Sequence, residues 1–159
     1  MRLAAVRVYA DTSVFGGVFD PEFERPSKEF FDEVRHGRFR LVISASVRDE
    51  VAGAPGQVRE LLEEITTGAE FVEVTDEALD VREAYITQGV VSQQQSLDAL
   101  HVAMATVARC EIIVSWNFRH IVSFRRIPLY NEVNAQHGYN PIAIHSPAEV
   151  LEHDEEEGI

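Results

Sequence analysis

The chain has 159 residues, 45% of them hydrophobic and 26% charged, and a net charge of -13. Those values suit one soluble globular domain, and the acidic balance argues against a protein that holds nucleic acid by overall electrostatic attraction. No apolar run approaches the roughly 20 residues a membrane-spanning helix needs, so no membrane partner is expected. Cys110 is the single cysteine. It therefore forms no intrachain disulfide and reads as a small buried hydrophobe in a reducing cytoplasm.

The N-terminus "MRLAAVRVYADTS" has the basic and apolar start of a weak signal peptide. Arg7 interrupts the run and Asp11 follows it, so "AVRVYA" reads as a first strand. "SKEFFDEVRHG" follows as a helix with Ser27 as candidate N-cap and Gly37 as its stop. "RLVIS" is continuous in apolar residues, as a strand buried on both faces would be. "SASVRDEVAG" reads as a short helix, and "PGQVRELLEEITTG" as a longer one with Val58, Leu61, Leu62 and Ile65 at helical spacing.

"EFVEV" is a third strand and "TDEALDVREAYITQG" a helix capped by Thr75. "SLDALHVAMATVARC" is a strongly apolar helix, with Ser92 and Ser96 as candidate caps, and "EIIVS" is a fourth strand. "RIPLYNEVNAQHGY" opens on a turn at Pro128, "PIAIHS" is a fifth strand, and "SPAEVLEH" a last helix with Pro147 at its first position. No linker or repeat divides the chain. Residues 1–150 read as a single domain and 151–159 as an acidic C-terminal tail, whose "EHDEEEG" holds five acids. Strand–helix alternation of this kind predicts an α/β fold with a mostly parallel sheet of about five strands and right-handed crossovers.

In open α/β sheets, ligands bind beyond the carboxyl ends of the strands. Asp11 closes the first strand, where it is also a natural N-cap, and Glu50 follows the second on a short helix. Asp98 lies in the first turn of the apolar helix among Leu97, Ala99, Leu100 and Val102, where a carboxylate needs a partner. Asn117 lies just past the fourth strand. All four fall at one end of the sheet, and three converging carboxylates would repel one another without a cation. Oxygen ligands select hard ions such as Mg²⁺ or Mn²⁺, which assist phosphodiester hydrolysis.

"YADTSVFGG", "ISASVRDEV", "SLDALHVAMA" and "IIVSWNFRHIV", in that order, resemble the PIN-domain nucleases, most nearly the VapC-type toxins of bacterial toxin–antitoxin pairs. The resemblance runs from about Val8 to the end of the fifth strand. It implies a three-layer α/β/α sandwich, Mg²⁺- or Mn²⁺-dependent endoribonuclease activity, an antitoxin partner and a homodimer. It gives Asp11, Glu50 and Asp98 the three acidic positions and Ser13 the position two residues after the first. Ser115 and Asn117 take the Thr-x-Asp pattern after the fourth strand, with an amide in place of the commoner acid. Asn117 is then expected to ligate the metal or orient a water.

His101 reads as a helix-face residue, whereas His120 and Arg119 are candidate RNA contacts. Arg125 and Arg126 extend that basic group, which surface ion pairing with the many acids explains equally well. Gly16 and Gly17 fit no nucleotide-binding fingerprint and suggest chain flexibility after the first strand. Two rival readings remain: a PIN-like module that binds RNA or a protein without catalysis, and a phosphatase using Asp11 as nucleophile. The second expects another Asp where Ser13 stands.

Overall fold

The computed structural model describes residues 5–157. The first four residues of the quoted N-terminus and the last two of the acidic tail lie outside the described residues. β1 (Val6–Ala10) leads into α1 (Thr12–Gly17) and α2 (Glu24–Arg35), then β2 (Phe39–Ser44), α3 (Ala45–Ala52) and α4 (Gly56–Thr66). β3 (Glu70–Val72), α5 (Asp76–Thr87), α6 (Ser96–Val107) and β4 (Ile112–Val114) follow, then α7 (Ile127–Gln136), β5 (Ala143–His145) and α8 (Pro147–Glu157). The expected tail is thus largely the end of α8.

The five strands form one sheet in the order β3-β2-β1-β4-β5, and every pairing is parallel. β1 is central because its residues suit burial on both sides, with Val8, Tyr9 and Ala10 fully buried. Side chains alternate across the pleat. Phe39 on β2 stacks on Phe30 of α2 at 5.6 Å, whereas Tyr9 on β1 reaches His101 of α6 at 2.7 Å. One face of the sheet therefore carries the α2 layer and the other the α6 layer. α8 packs on α2, and α5 on α6 and α7, which gives the three-layer α/β/α arrangement. At the end of the sheet away from Asp11, Arg7 holds Glu70 through both carboxylate oxygens and donates to the Ala108 carbonyl. Among the described residues no helix is long and apolar enough to cross a membrane.

Several boundaries differ from those read in the sequence. α2 starts at Glu24, before Pro26, because proline fits the first turn where its missing N–H has no partner to lose. Ser27 is therefore inside the helix, where it accepts the Trp116 indole N–H at 2.8 Å instead of capping. Ser92 caps a 3₁₀ turn (Gln93–Gln95) through a reciprocal box with Gln95, and this turn runs directly into α6. Ser96 is the first residue of α6 and caps nothing. Pro128 sits in the first turn of α7, so the segment opens as a helix.

Gly16 and Gly17 lie in α1, which corrects the reading of chain flexibility there. A Cβ at Gly17 would lie 2.5 Å from the Ser27 hydroxyl and 2.8 Å from the Trp116 indole nitrogen, while one at Gly16 meets nothing within 4 Å. Gly17→Ala is expected to cost about 1–3 kcal/mol through overpacking, whereas Gly16→Ala should be neutral or slightly stabilising. Urea unfolding of both variants checks the pair; equal effects would mean that the close approach to Trp116 carries no energetic weight.

Candidate active site

Asp11 follows the last residue of β1 and caps α1. Its Oδ1 accepts the Ser13 amide at 3.1 Å and the Ser13 hydroxyl at 2.6 Å, and its Oδ2 accepts the Ser115 hydroxyl at 2.6 Å. The residue is 4% exposed. Burial raises its pKa above the ordinary carboxylate value, opposed by nearby His101 and by the two hydroxyls, and Glu50 pushes it up further. Its direct donors are all neutral, so a buried carboxylate stands here without a cation in contact. The two serines also join β1 to the segment after β4. Ser13 Oγ accepts the Trp116 amide at 2.9 Å, and Ser115 Oγ accepts the Asn117 amide at 2.9 Å.

Glu50 is carried by α3, whose start is fixed by Ser44: its hydroxyl accepts the Val47 amide at 3.1 Å. His101 Nε2 lies 2.5 Å from Glu50 Oε1, and Tyr9 OH lies 2.7 Å from both His101 Nδ1 and Ser44 Oγ. The Val47 amide, Ser44, Tyr9, His101 and Glu50 thus form one continuous hydrogen-bonded chain. Desolvation raises the Tyr9 pKa well above that of an ordinary phenol. His101 is 3% exposed, so it is not the helix-face residue expected but the link that holds Glu50 to the sheet.

Asp98 is in the first turn of α6, with Oδ2 3.2 Å from His120 Nδ1. His120 is brought there by a tightly bonded loop. Asn117 Oδ1 accepts the amides of Arg119 at 3.1 Å and His120 at 2.9 Å. The Tyr130 hydroxyl donates to the His120 carbonyl at 2.6 Å, and Arg126 Nη1 to the Arg119 carbonyl at 2.8 Å. The Asn117 carbonyl, expected as a ligand or water acceptor, is committed to two backbone amides. In this arrangement it forms the turn that carries Arg119 and His120. An aspartate would accept the same two amides, so Asn117→Asp should keep the melting temperature within about 1 °C, whereas Asn117→Ala should cost about 1–2 kcal/mol. Thermal melts of the two variants decide this; a large loss in Asn117→Asp would show that its Nδ2 group matters instead.

Asp11, Glu50 and His101 thus form one interacting group, and Asp98 with His120 a second pair. Among the described residues no three His, Cys, Asp or Glu side chains are gathered tightly enough to hold one ion, because Glu50 and Asp98 are turned to histidines. The chemistry of the donors still fits a hard divalent cation, since Asp11 offers a buried carboxylate that no cationic side chain contacts among the described residues. No second acid stands two residues after Asp11; Ser13 is bonded to Asp11 itself, which leaves the phosphatase reading without its partner acid.

Cys110 is buried, and desolvation pushes its thiol up to about 12. The folded protein should therefore leave it unalkylated by iodoacetamide at neutral pH, with reaction appearing only on denaturation. Mass spectrometry before and after urea treatment reads this directly, and rapid modification of the folded chain would contradict it.

The all-parallel sheet, its order and its two helical layers define a PIN-like α/β fold. A chain of the VapBC2 complex of Rickettsia felis, solved with a promoter DNA fragment, matches 89% of this chain and 98% of its own at 14% identity and a TM-score of 0.59. FitAcB of Neisseria gonorrhoeae matches 88% of this chain and 97% of its own at 13% identity and a TM-score of 0.56. VapC20 of Mycobacterium tuberculosis, described as a sarcin–ricin loop cleaving toxin, matches 85% and 98% at 10% identity and a TM-score of 0.56. The resemblance drawn from the four sequence motifs is therefore borne out in the fold. No family model matches the sequence, nor does any curated protein.

Proposed function

We propose that the protein is a metal-dependent endoribonuclease that hydrolyses RNA phosphodiester bonds, and that it acts as the toxin of a toxin–antitoxin pair. The observation that carries this reading is Asp11, a carboxylate buried at the carboxyl end of the central strand with no cation in contact. Asp11, Glu50 and Asp98 would hold Mg²⁺ or Mn²⁺, with Glu50 and Asp98 exchanging their histidine partners for it. When bound, such an ion activates a water and offsets charge developing on the phosphoryl oxygens. Ser13 and Ser115 hold Asp11 in one orientation by donating to both of its oxygens. His101 and His120 keep Glu50 and Asp98 on the rim. An antitoxin partner is supported by the same likeness, since these structural neighbours come from toxin–antitoxin complexes; the homodimer is proposed on the sequence resemblance alone.

The test is incubation of the pure protein with a mixed RNA pool, with Mn²⁺ and with EDTA, followed by mapping of the cut ends. Cleavage that requires Mn²⁺ is expected; an intact pool under both conditions would overturn the proposal. A second reading, a PIN-like module without catalysis, is favoured by the two carboxylates already paired with histidines. It calls for no Mn²⁺ binding that depends on Asp11 and Asp98, which calorimetric titration of the parent, Asp11→Asn and Asp98→Asn would measure.

A further inference from the structure

The segment from Ile112 to Asn131 contains no Asp or Glu, yet it holds Arg119, Arg125, Arg126 and His120 in a chain of net charge -13. Many cations elsewhere in the protein are paired: Arg7, Arg25, Lys28, Arg35, Arg38, Arg48 and Arg82 each lie against a carboxylate. Arg126 is bonded to the carbonyls of Val90 and Arg119. The exposed side chains of Arg119 and Arg125 make no ion pair among the described residues.

The same segment exposes aromatic surface. Phe124 is 96% exposed and Phe118 is 53% exposed. Both line an open depression of about 350 Å³ floored by Val122, Ile127 and Ile144. Folding gains nothing from a phenylalanine ring so placed, and its neighbour on each exposed turn is a free guanidinium.

The rings stand on a rigid mount. Trp116 stacks on Phe23 at 4.3 Å between centroids and meets Phe118 edge-on at 6.0 Å. The Asn117, Arg126 and Tyr130 bonds described above fix the loop between the two rings. The mount also joins the acidic site directly, because the Trp116 amide donates to the serine hydroxyl that holds Asp11.

We infer that the loop from Trp116 to Arg126 is a landing platform for single-stranded RNA, with bases stacked on Phe124 and Phe118 and phosphates taken by Arg119 and Arg125. This deepens the nuclease reading on which it rests. Base faces are available for stacking in single strands and hidden in a duplex, and aromatic rings interleaved with cations suit that geometry. Glu149 also lines the depression and is bonded to the Ser146 amide at 2.9 Å; its negative charge would repel phosphates, which leaves them to Arg119 and Arg125.

The test uses the full-length Asp11→Asn protein, silenced for cleavage, and a short single-stranded RNA carrying 2-aminopurine. Binding should quench the fluorophore, and Phe124→Ala should weaken binding by roughly 5- to 150-fold, the range that loss of one stacked base implies. Phe124→Tyr should bind as the parent does. Arg125→Ala should lower the slope of log affinity against log salt by about 0.7, one phosphate on a single strand. A duplex of the same sequence should bind more weakly.

Unchanged affinity in both Phe124→Ala and Arg125→Ala would overturn the platform, as would equal affinity for the duplex. A change of oligomeric state in Phe124→Ala with RNA binding intact would also overturn it and assign the patch to a protein contact. The nuclease reading fails separately. Phe124-dependent RNA binding by a chain that cuts nothing with Mn²⁺ would leave the platform standing without the enzyme, and Mn²⁺-dependent cutting indifferent to Phe124 the reverse.

Discussion

Asp11→Asn is expected to abolish RNA cleavage and, in the same molecule, to make the fold more stable. The loss of activity should reach about a thousand-fold or more, since one buried ligand of a hard cation contributes several kcal/mol to the charge balance of the reaction. The gain in stability comes from the same burial. Asparagine keeps the Ser13 bonds through its carbonyl, and its amide can donate to the Ser115 hydroxyl, which gives up its bond to the carboxylate. What disappears is an anion desolvated at 4% exposure, so a gain of about 1–3 kcal/mol at neutral pH follows.

The gain should depend on pH in a defined direction. Burial holds the Asp11 pKa in the fold above the ordinary carboxylate value. The folded parent therefore holds its proton to higher pH than the unfolded chain does, and its relative stability falls as pH rises through that interval. The two proteins should melt together in acid and separate toward neutrality, Asp11→Asn being the higher. Melting curves without divalent ions from about pH 4 to about pH 8 test this, and adding Mn²⁺ should raise the parent alone. A variant less stable than the parent at neutral pH would show that the carboxylate is stabilised by something other than its neutral donors. Retained Mn²⁺-dependent cleavage would remove Asp11 from the chemistry.

The second large effect is expected far from the site, in the α5–α6–α7 layer. Asn134 is fully buried, and its Oδ1 accepts the Tyr85 hydroxyl. Its Nδ2 donates to Thr106 Oγ1 at 3.3 Å and to Asn131 Oδ1 at 3.2 Å. One amide thus ties three helices, and Asn131 carries the tie on to the Ile142 backbone beside β5. Asn134→Ala would open a cavity and leave the buried Tyr85 phenol, which desolvation keeps protonated, with only its long contact to Thr106 Oγ1 at 3.4 Å. A loss of about 2–4 kcal/mol in urea unfolding is expected. Tyr85→Phe removes that donor, so the double variant should be less destabilised than the sum of the two singles, with a coupling of about 1 kcal/mol or more. Strict additivity would show that the hydroxyl and the amide do not depend on one another.

The strands and the end of the sheet that matters were legible because their signals are local. A continuous apolar run followed by Asp11, or by Ser115 and Asn117, marks a buried strand leaving the core whatever lies around it. Partners distant in sequence were not legible. His101 gains its meaning from Glu50 and Tyr9, 51 and 92 residues away, and an apolar helix carrying one histidine gives only the hint that a buried partner must exist. Asn117 seemed a departure from an acidic ligand, but any acceptor serves the two amides that it caps. Gly17 reads as slack until Trp116 and Ser27 are seen against it. The helix start read at Ser27 and the turn read at Pro128 failed for a simpler reason, since proline fits the first turn of a helix as Pro26 and Pro128 do.

Asp11 is near the beginning of the chain, and the hydroxyl that completes its setting is 104 residues further on, past a strand that pairs with β1 only when it arrives. A polypeptide still being made therefore exposes this acid to water and leaves one edge of β1 open until β4 emerges. Chains cut short before Ser115 would carry the carboxylate without its orientation and should be inert as well as easily proteolysed. The site therefore takes shape only once β4 and the segment after it have joined β1.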